Sequence, residues 1–293
     1  MKFLILIIMT LAALVLVSCS TGRIAERDPV AIDPDYPPAI IEISFLSHGD
    51  RLNGFVYLAN GPGPHPTVLL MHGYPGTEKN LDIAQYLRRD GWNVLFFHYR
   101  GAWGSEGAFS FLNAAEDTGA ALNHLRDNAE RYRADPGSIA IVGHSMGGQM
   151  TLVGAANDPE ITCAATLAAA SIDYLMLQLE DENLRVGFRE YADSLTMLAG
   201  HDGGNVIEQG VAFADRYPLA DIVFNFAGKK LLLLAAENDE AVPVKVHEAY
   251  VAAFSKSPDV ELDSEIYVTD HSFNSNRIAI SRRLVDWLDA NCR

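Results

Sequence analysis

The sequence is poor in cysteine and in basic residues. Its 293 residues include only three cysteines, Cys19, Cys163 and Cys292, and no Cys-x-x-Cys pair, so no zinc or thiol-redox signature is present. Lys and Arg number 22 against 38 Asp and Glu, which gives a formal charge of −16. Such a charge repels nucleic-acid phosphates, and we expect no nucleic-acid partner. Internal repeats and low-complexity segments are also absent.

The two cysteines beyond the N-terminal region do not reveal whether they pair. Cys163 lies in the apolar run 161–170, which predicts a buried thiol in the core. Cys292 is the next-to-last residue. A disulfide between them stays open, and the unpaired core thiol is the favoured interpretation.

An apolar run occupies positions 3–17, directly after Lys2. A positive residue followed by an apolar stretch that is short for a spanning helix is typical of a secretory signal. The run ends in Leu-Val-Ser-Cys at positions 16–19, which resembles the lipobox of bacterial lipoproteins. That resemblance implies that residues 1–18 are a signal peptide and that Cys19 carries lipid such as palmitate. The alternatives are an uncleaved anchor helix or an ordinary signal cut near a Cys.

Each of these alternatives puts the rest of the chain outside the cytoplasm. Residues 19–38 contain four prolines among several charges, which predicts an extended tether between lipid and domain. The alternative for this segment is a lead-in without strands that packs on the domain surface. We therefore expect a protein of the bacterial cell envelope, bound to a membrane through its N-terminal lipid, with a periplasmic or external domain at residues 39–293.

Apolar strands alternate with helical stretches along this domain. The strands are nearly continuous apolar runs, a pattern typical of a parallel sheet covered by helices on both faces. Strands are predicted at 40–45, 54–58, 67–71, 92–97, 138–142, 161–168, 230–236 and 264–268, and helices at 81–89, 113–128 and 277–290. Asn113 is the predicted N-cap of its helix. Residues 171–226 contain no clear strand and are predicted to form a helical cap after the sixth strand.

The strand 138–142 leads directly into Gly-His-Ser-Met-Gly at positions 143–147. A Gly-x-Ser-x-Gly pattern between a strand and a helix is typical of a nucleophile on a turn too tight for neighbouring side chains. The helix N-terminus behind Ser145 favours a developing oxyanion. We predict that Ser145 is the nucleophile, and the alternative is a glycine-rich turn with a structural serine.

With this motif in its context, the chain resembles serine hydrolases of the α/β-hydrolase fold over residues 40–290. The resemblance implies a mostly parallel eight-stranded sheet flanked by helices, with the chain order nucleophile, acid, histidine. It assigns the acid to Asp239, in the loop after strand 230–236, with Asp173 as a competitor because some hydrolases carry the acid after the sixth strand. It assigns the base to His271, just beyond the last strand.

The strand 67–71 ends in His-Gly-Tyr-Pro-Gly at positions 72–76. By the same resemblance, the oxyanion accepts hydrogen bonds from the backbone N–H groups of Tyr74 and Met146. His72 is then a structural residue that shapes the loop. This chemistry needs neither a metal ion nor an organic cofactor.

The segment 99–107 resembles the loop after the fourth strand in esterases and in peptidases of the prolyl-oligopeptidase and acylaminoacyl-peptidase type. Peptidases of that class usually carry a β-propeller, for which this chain has no room. The short cap is more similar to that of carboxylesterases such as feruloyl or cinnamoyl esterases. Trp103, Phe109 and Phe111 are candidates for an acyl or aryl pocket, or for the core.

We therefore predict an esterase that acts on a small-molecule ester through an acyl-enzyme. A small amidase or peptidase uses the same triad and stays an alternative. A lipoprotein that uses the fold only as a binding scaffold is a third hypothesis, which the complete triad disfavours. Residues 171–226 hold ten acidic and three basic residues, so anionic substrates are expected to be disfavoured if the cap overhangs Ser145. The sequence leaves the oligomeric state open.

Overall fold

The computed structural model describes residues 24–257 and 259–293. The predicted signal peptide at residues 1–18 and the predicted lipid site at Cys19 lie outside this part of the chain. Among the described residues, no helix has the length and apolar character needed to cross a bilayer.

Eight strands form a single sheet. In chain order they are β1 (Ala39–Ser47), β2 (Asp50–Leu58), β3 (His65–Met71), β4 (Asn93–Phe97), β5 (Ala134–His144), β6 (Cys163–Leu167), β7 (Lys230–Ala236) and β8 (Glu261–Tyr267). Their spatial order is β1-β2-β4-β3-β5-β6-β7-β8. Only β2 runs antiparallel to its neighbours, and the other pairs are parallel. The predicted fold class, an eight-stranded, mostly parallel sheet, is confirmed.

Nine α-helices occur among the described residues. They are α1 (Leu81–Arg89), α2 (Phe111–Asp127), α3 (Met146–Asn157), α4 (Ile172–Gln178), α5 (Glu182–Asp193), α6 (Val206–Arg216), α7 (Leu219–Phe224), α8 (Val244–Phe254) and α9 (Arg277–Asn291). Alternate strand residues enter two separate cores: Leu69 and Leu95 pack in one, Val68 and Leu70 in the other. Because both faces of the sheet are covered, its central strands are apolar throughout rather than alternating.

The start of α2 differs from its prediction. Asn113 was the expected N-cap, but the helix begins two residues earlier and its N-cap is Ser110. The Ser110 hydroxyl accepts the Asn113 N–H at 3.0 Å, and the ring of Phe111 is buried in the core. A serine cap together with an apolar anchor in the first turn extends the helix toward the N-terminus.

Four helices, α4 to α7, occupy the stretch for which no strand was predicted, between β6 and β7. The helix α5 is thinly packed, with Ala192 as its one buried residue. The predicted helical insertion after the sixth strand therefore consists of short helices, of which α5 has the least burial to hold it.

Cys163 and Cys292 are joined by a disulfide, with their Cα atoms 5.8 Å apart. The favoured prediction of an unpaired thiol at Cys163 is wrong. Cys163 begins β6 and Cys292 directly follows α9, which packs beside that strand, so tertiary packing brings together two residues 129 positions apart.

The described part of the predicted tether contacts the domain. Ala25 is fully buried, and its carbonyl accepts a hydrogen bond from Arg89 Nε at 2.6 Å. The Glu26 carboxylate accepts the Tyr86 hydroxyl at 3.1 Å and pairs with Arg282. These contacts fix the lead-in against α1 and α9.

Candidate active site

Ser145 lies between β5 and α3 in a left-handed backbone conformation, with φ 57° and ψ −124°. A side chain at Gly143 would place its Cβ 2.0 Å from the Gly147 carbonyl oxygen, and one at Gly147 would lie 2.5 Å from the Met71 oxygen. Glycine is therefore required at Gly143 for the turn to close against the start of α3, and at Gly147 for the turn to pack against the end of β3. A strained serine at such a turn presents its hydroxyl at the end of the sheet.

Asp239 and His271 are bonded to each other. His271 Nδ1–H donates to Asp239 Oδ2 at 2.6 Å. The other carboxylate oxygen of Asp239 accepts the backbone N–H groups of Ala241 at 2.9 Å and Val242 at 2.7 Å. Both oxygens of this buried carboxylate are thus occupied, which fixes its orientation toward the imidazole.

Asp173, the competing acid, does not have this arrangement. It lies in the first turn of α4, where burial raises the pKa of its carboxyl. The imidazole Nδ1 of His271 is bonded to Asp239 instead. Geometry therefore favours Asp239 as the acid that orients the imidazole.

Ser145 and His271 line one cavity of about 750 Å³. Aromatic side chains supply much of its wall: Tyr74, Phe111, Tyr174, Phe188 and Tyr191. Gln178 and Asn183 add neutral polar groups, and Glu240 is the one carboxylate among the described residues that line the cavity. None of the ten acidic residues of segment 171–226 lies among the lining residues. The acidic residues of that segment therefore do not form part of the cavity wall.

The backbone of the loop after β3 passes directly beside Ser145, the predicted nucleophile. A Cβ on Gly73 would lie 2.8 Å from Ser145 Cβ, so only glycine permits this approach. Tyr74 follows in this loop, and Met146 is the first residue of α3. Within the described residues, neither the Tyr74 nor the Met146 N–H donates a hydrogen bond to another protein group. Both N–H groups, one at a helix N-terminus, are available to an anionic oxygen.

His72 is buried beneath this loop. Its Nδ1–H donates to the Gly73 carbonyl at 2.8 Å, and its Nε2 accepts from His98 Nδ1–H at 3.2 Å. Burial lowers the pKa of His72 to about 4 and that of His98 to about 3, so both rings are neutral near pH 7. This pair supports the loop from below, as a structural role for His72 requires.

His144, the residue before Ser145 in the serine motif, contacts the loop that carries His271. Its Nε2–H donates to the His271 backbone carbonyl at 2.9 Å, and the two rings lie 4.6 Å apart. The ring is buried, which lowers the pKa of His144 to about 3. A polar residue before the nucleophile is the only sequence signal for this contact, and its partner is 127 positions away.

The three aromatic candidates for the pocket separate into different places. Phe111 lines the cavity, whereas Phe109 is buried beside it in the core. Trp103 is half-buried, and its indole N–H donates to the Pro75 carbonyl at 2.8 Å. Trp103 therefore supports the loop that contains Tyr74 rather than lining the cavity.

The family model described as the prolyl oligopeptidase family matches residues 80–293, which include Ser145, Asp239 and His271. The quorum-quenching protein AidA of Acinetobacter baumannii is 28% identical over 129 residues, or 42% of this chain and 41% of AidA. The match thus spans less than half of that relative.

Solved esterases share the fold. Est1E from Butyrivibrio proteoclasticus, solved with ferulic acid bound, superposes with a TM-score of 0.64 at 16% identity, covering 85% of this chain and 98% of Est1E. The Pyrococcus furiosus esterase Pf2001 gives a TM-score of 0.63 at 18% identity, covering 91% of this chain and all of the esterase. The family match over most of the chain makes it a member of the prolyl oligopeptidase family, and the solved esterases show that it shares their α/β-hydrolase fold.

Proposed function

We propose that this protein hydrolyses neutral carboxylic esters through an acyl-enzyme on Ser145, with His271 as the base and Asp239 as the orienting acid. The observation that carries the proposal is the bonded Asp239–His271 pair on the same cavity as a serine held on a strained turn.

The hydrogen bond between His271 and Asp239 supports an assignment of the reacting atoms. Because His271 Nδ1 donates to Asp239, the lone pair of the neutral imidazole is on Nε2, which takes the proton from Ser145 Oγ. Oγ attacks the carbonyl carbon, and the N–H groups of Tyr74 and Met146 hold the oxyanion. His271 then gives its proton to the leaving alcohol, and water releases the acyl group by the same steps in reverse order.

The cavity wall favours a neutral and partly aromatic substrate. Five aromatic rings supply apolar surface and stacking partners, and the single lining carboxylate, Glu240, disfavours a nearby anion. The ferulic acid bound to Est1E is an aryl acid in a protein of the same fold. We infer that the enzyme prefers aryl or medium-chain acyl groups without charge, and that cavity shape and Glu240 set this preference.

The proposal is tested with p-nitrophenyl acetate, butyrate, octanoate and cinnamate, and with a carboxylate-bearing analogue of the butyrate at low salt. We expect turnover of the neutral esters and weaker turnover of the anionic one. The Ser145→Ala variant is expected to lose turnover and labelling by a fluorophosphonate probe. Equal rates on the neutral and the anionic ester would contradict the proposed charge preference but not the proposed ester hydrolysis.

The same assay separates the alternatives. Turnover of matched p-nitroanilides at rates near those of the esters would identify an amidase or peptidase, in keeping with the family description. A folded wild-type protein that neither hydrolyses esters nor labels at Ser145 would contradict the enzyme proposal and favour a binding scaffold.

We also propose that Cys19 carries the lipid and that the domain lies outside the cytoplasm, in the bacterial cell envelope. The disulfide supports this location, because disulfides persist in oxidising compartments. Incorporation of an alkyne palmitate analogue in a bacterial host, lost in Cys19→Ser, is the expected result. Equal labelling of the variant would contradict the lipid site.

A further inference from the structure

The Tyr74 hydroxyl is bonded to a histidine of the segment between β6 and β7. The distance from Tyr74 Oη to His201 Nε2 is 2.8 Å, and that from His201 Nδ1 to Gln209 Oε1 is 2.7 Å. An amide oxygen only accepts, so the proton of His201 is on Nδ1 and its Nε2 carries the lone pair. Tyr74 is therefore the donor, and its hydroxyl is turned toward the segment that follows β6.

The accepting imidazole of His201 is held in place by Gln209. Gln209 lies on α6 and its amide nitrogen donates to Asn205 Oδ1 at 3.1 Å, which confirms the orientation of its carboxamide. His201 is 5% exposed, and burial lowers its pKa, so the ring stays neutral and keeps its accepting lone pair. The contacts from α6 to Tyr74 thus form a chain of partly buried hydrogen bonds.

Aromatic packing holds both rings of this contact. Phe109 lies 5.1 Å from the His201 ring and 5.9 Å from the Tyr74 ring, measured between centroids. Phe111 lies 6.0 Å and 5.7 Å from the same two rings. In such a partly buried surrounding a hydrogen bond is stronger, and loss of one partner costs more, than in bulk water.

Tyr74 carries one of the two N–H groups assigned to the oxyanion, and its neighbours are also held. His72 bonds the Gly73 carbonyl and Trp103 bonds the Pro75 carbonyl. His201 differs from these two because it belongs to the segment after β6, and because it is bonded to the side chain of Tyr74 itself. The ring and the N–H share one Cα, so fixing the ring restricts the direction of the N–H.

We propose that His201 is a positioning residue for the hydrolytic reaction. His201, in the helical insertion, accepts a hydrogen bond from the Tyr74 hydroxyl and thereby holds the oxyanion loop (residues 72–76) in place. His201 is not among the cavity-lining residues and acts through Tyr74. The proposal rests on the proposed function, since it concerns the same reaction. It makes the insertion a part of the catalytic apparatus in addition to a cavity wall.

A double-mutant cycle with Tyr74→Phe and His201→Phe tests it. Each change keeps an aromatic ring and removes one side of the hydrogen bond. We expect kcat for p-nitrophenyl butyrate to fall about tenfold in each variant, since small misplacements of catalytic groups cost up to about 100-fold, and KM to change less than kcat. The double variant is expected to be no slower than the slower single, because both remove the same interaction.

Two further variants separate positioning from general damage. His201→Gln supplies an amide oxygen that can accept the Tyr74 hydroxyl, and we expect it to restore much of kcat. Val211→Ala changes an exposed residue of the same helix as Gln209 and is expected to keep the wild-type kcat. A wild-type kcat in His201→Phe, or independent losses that multiply in the double variant, would overturn the proposal.

Hydrogen–deuterium exchange of the peptide covering residues 72–77 provides a readout that does not need turnover. We expect faster exchange in both single variants and no further increase in the double variant. Unchanged exchange in His201→Phe would overturn the positioning role even if ester hydrolysis is confirmed. Conversely, faster exchange in a protein without ester turnover would support the contact and contradict only the proposed function.

Discussion

Two buried histidines, His72 and His144, and the half-buried His98 lie next to Ser145 or the loop after β3. Burial lowers their pKa values to about 4, 3 and 3, against about 6.5 in an unfolded chain. Between these limits the unfolded chain binds more protons, so the free energy of unfolding falls as the pH falls. The stability from these groups is complete above pH 6.5 and is lost progressively toward pH 3–4.

We predict that acid destabilises the protein between pH 6.5 and pH 4, with each histidine contributing up to about 1.4 kcal/mol per pH unit. Urea unfolding at several pH values measures this slope. His144→Gln keeps a hydrogen-bond donor for the His271 carbonyl but does not titrate. Its free energy of unfolding is therefore expected to change less steeply with pH, by about the contribution of one histidine. A stability that is constant over this range in the wild-type protein would contradict the prediction.

Asp239, the proposed catalytic acid, has a matched control in the chain. Asp239→Asn keeps the shape of the side chain but favours the wrong imidazole tautomer, and we expect kcat to fall about 10³- to 10⁴-fold. Asp173→Asn removes the competing carboxyl and is expected to keep kcat within about threefold of wild type. Both are measured with the ester that the enzyme turns over fastest. A larger loss from Asp173→Asn would reverse the assignment.

Residues with a local signature could be predicted from the sequence, whereas those defined by long-range contacts could not. Ser145 has its glycines beside it, and Asp239 and His271 each follow a strand end, so pattern and chain order select them. His201 contacts Tyr74 across 127 positions, and neither residue has a neighbour that indicates the other. The same holds for the bond from His144 to the His271 loop.

At the scale of elements, two helix glycines give opposite expectations. A Cβ at Gly147 in α3 would meet backbone oxygens of Met71 and His72 at 2.5 and 2.6 Å, whereas one at Gly119 in α2 would meet nothing within 4 Å. We predict that Gly147→Ala destabilises the protein by about 1–3 kcal/mol or more and impairs turnover. Gly119→Ala is expected to stabilise it by about 0.5–1 kcal/mol.

Chemical unfolding of both glycine variants, with turnover measured in parallel, checks this pair. The comparison holds the substitution constant and changes only the surroundings of the new methyl group. Equal stability of the two variants would mean that α3 can move away from β3 at little cost.

Element prediction succeeded where one pattern dominates the segment. The bounds of α1 and β7 match the predicted 81–89 and 230–236. The amphipathic pattern of α1 and the continuous apolar run of β7 both end abruptly, so the sequence marks where each element stops. The prediction for β5 covered only 138–142, but pairing with β3 and β6 extends the strand over Ala134–His144. Strand ends of this kind depend on a neighbour, which local sequence does not specify.

For the whole molecule, the disulfide closes a loop of 129 residues. We predict that Cys292→Ser, or reduction of the wild-type protein, lowers the free energy of unfolding by about 2–5 kcal/mol, chiefly by freeing the unfolded chain. Urea unfolding with and without dithiothreitol measures the change. The reductant is expected to leave the Cys292→Ser variant unchanged, and an equal effect on both proteins would point to another cause.

The same covalent loop encloses Asp239, His271 and all four helices of the insertion, while Ser145 precedes it. Trypsin can cut at the exposed Arg189 of thinly packed α5. Such a cut breaks the chain between Ser145 and the pair Asp239 and His271, but the disulfide keeps the two fragments joined. The nicked protein should run as one band on a non-reducing gel and as two after reduction. A protease can therefore cleave the helical insertion beside the candidate active site while the protein stays one covalently linked molecule.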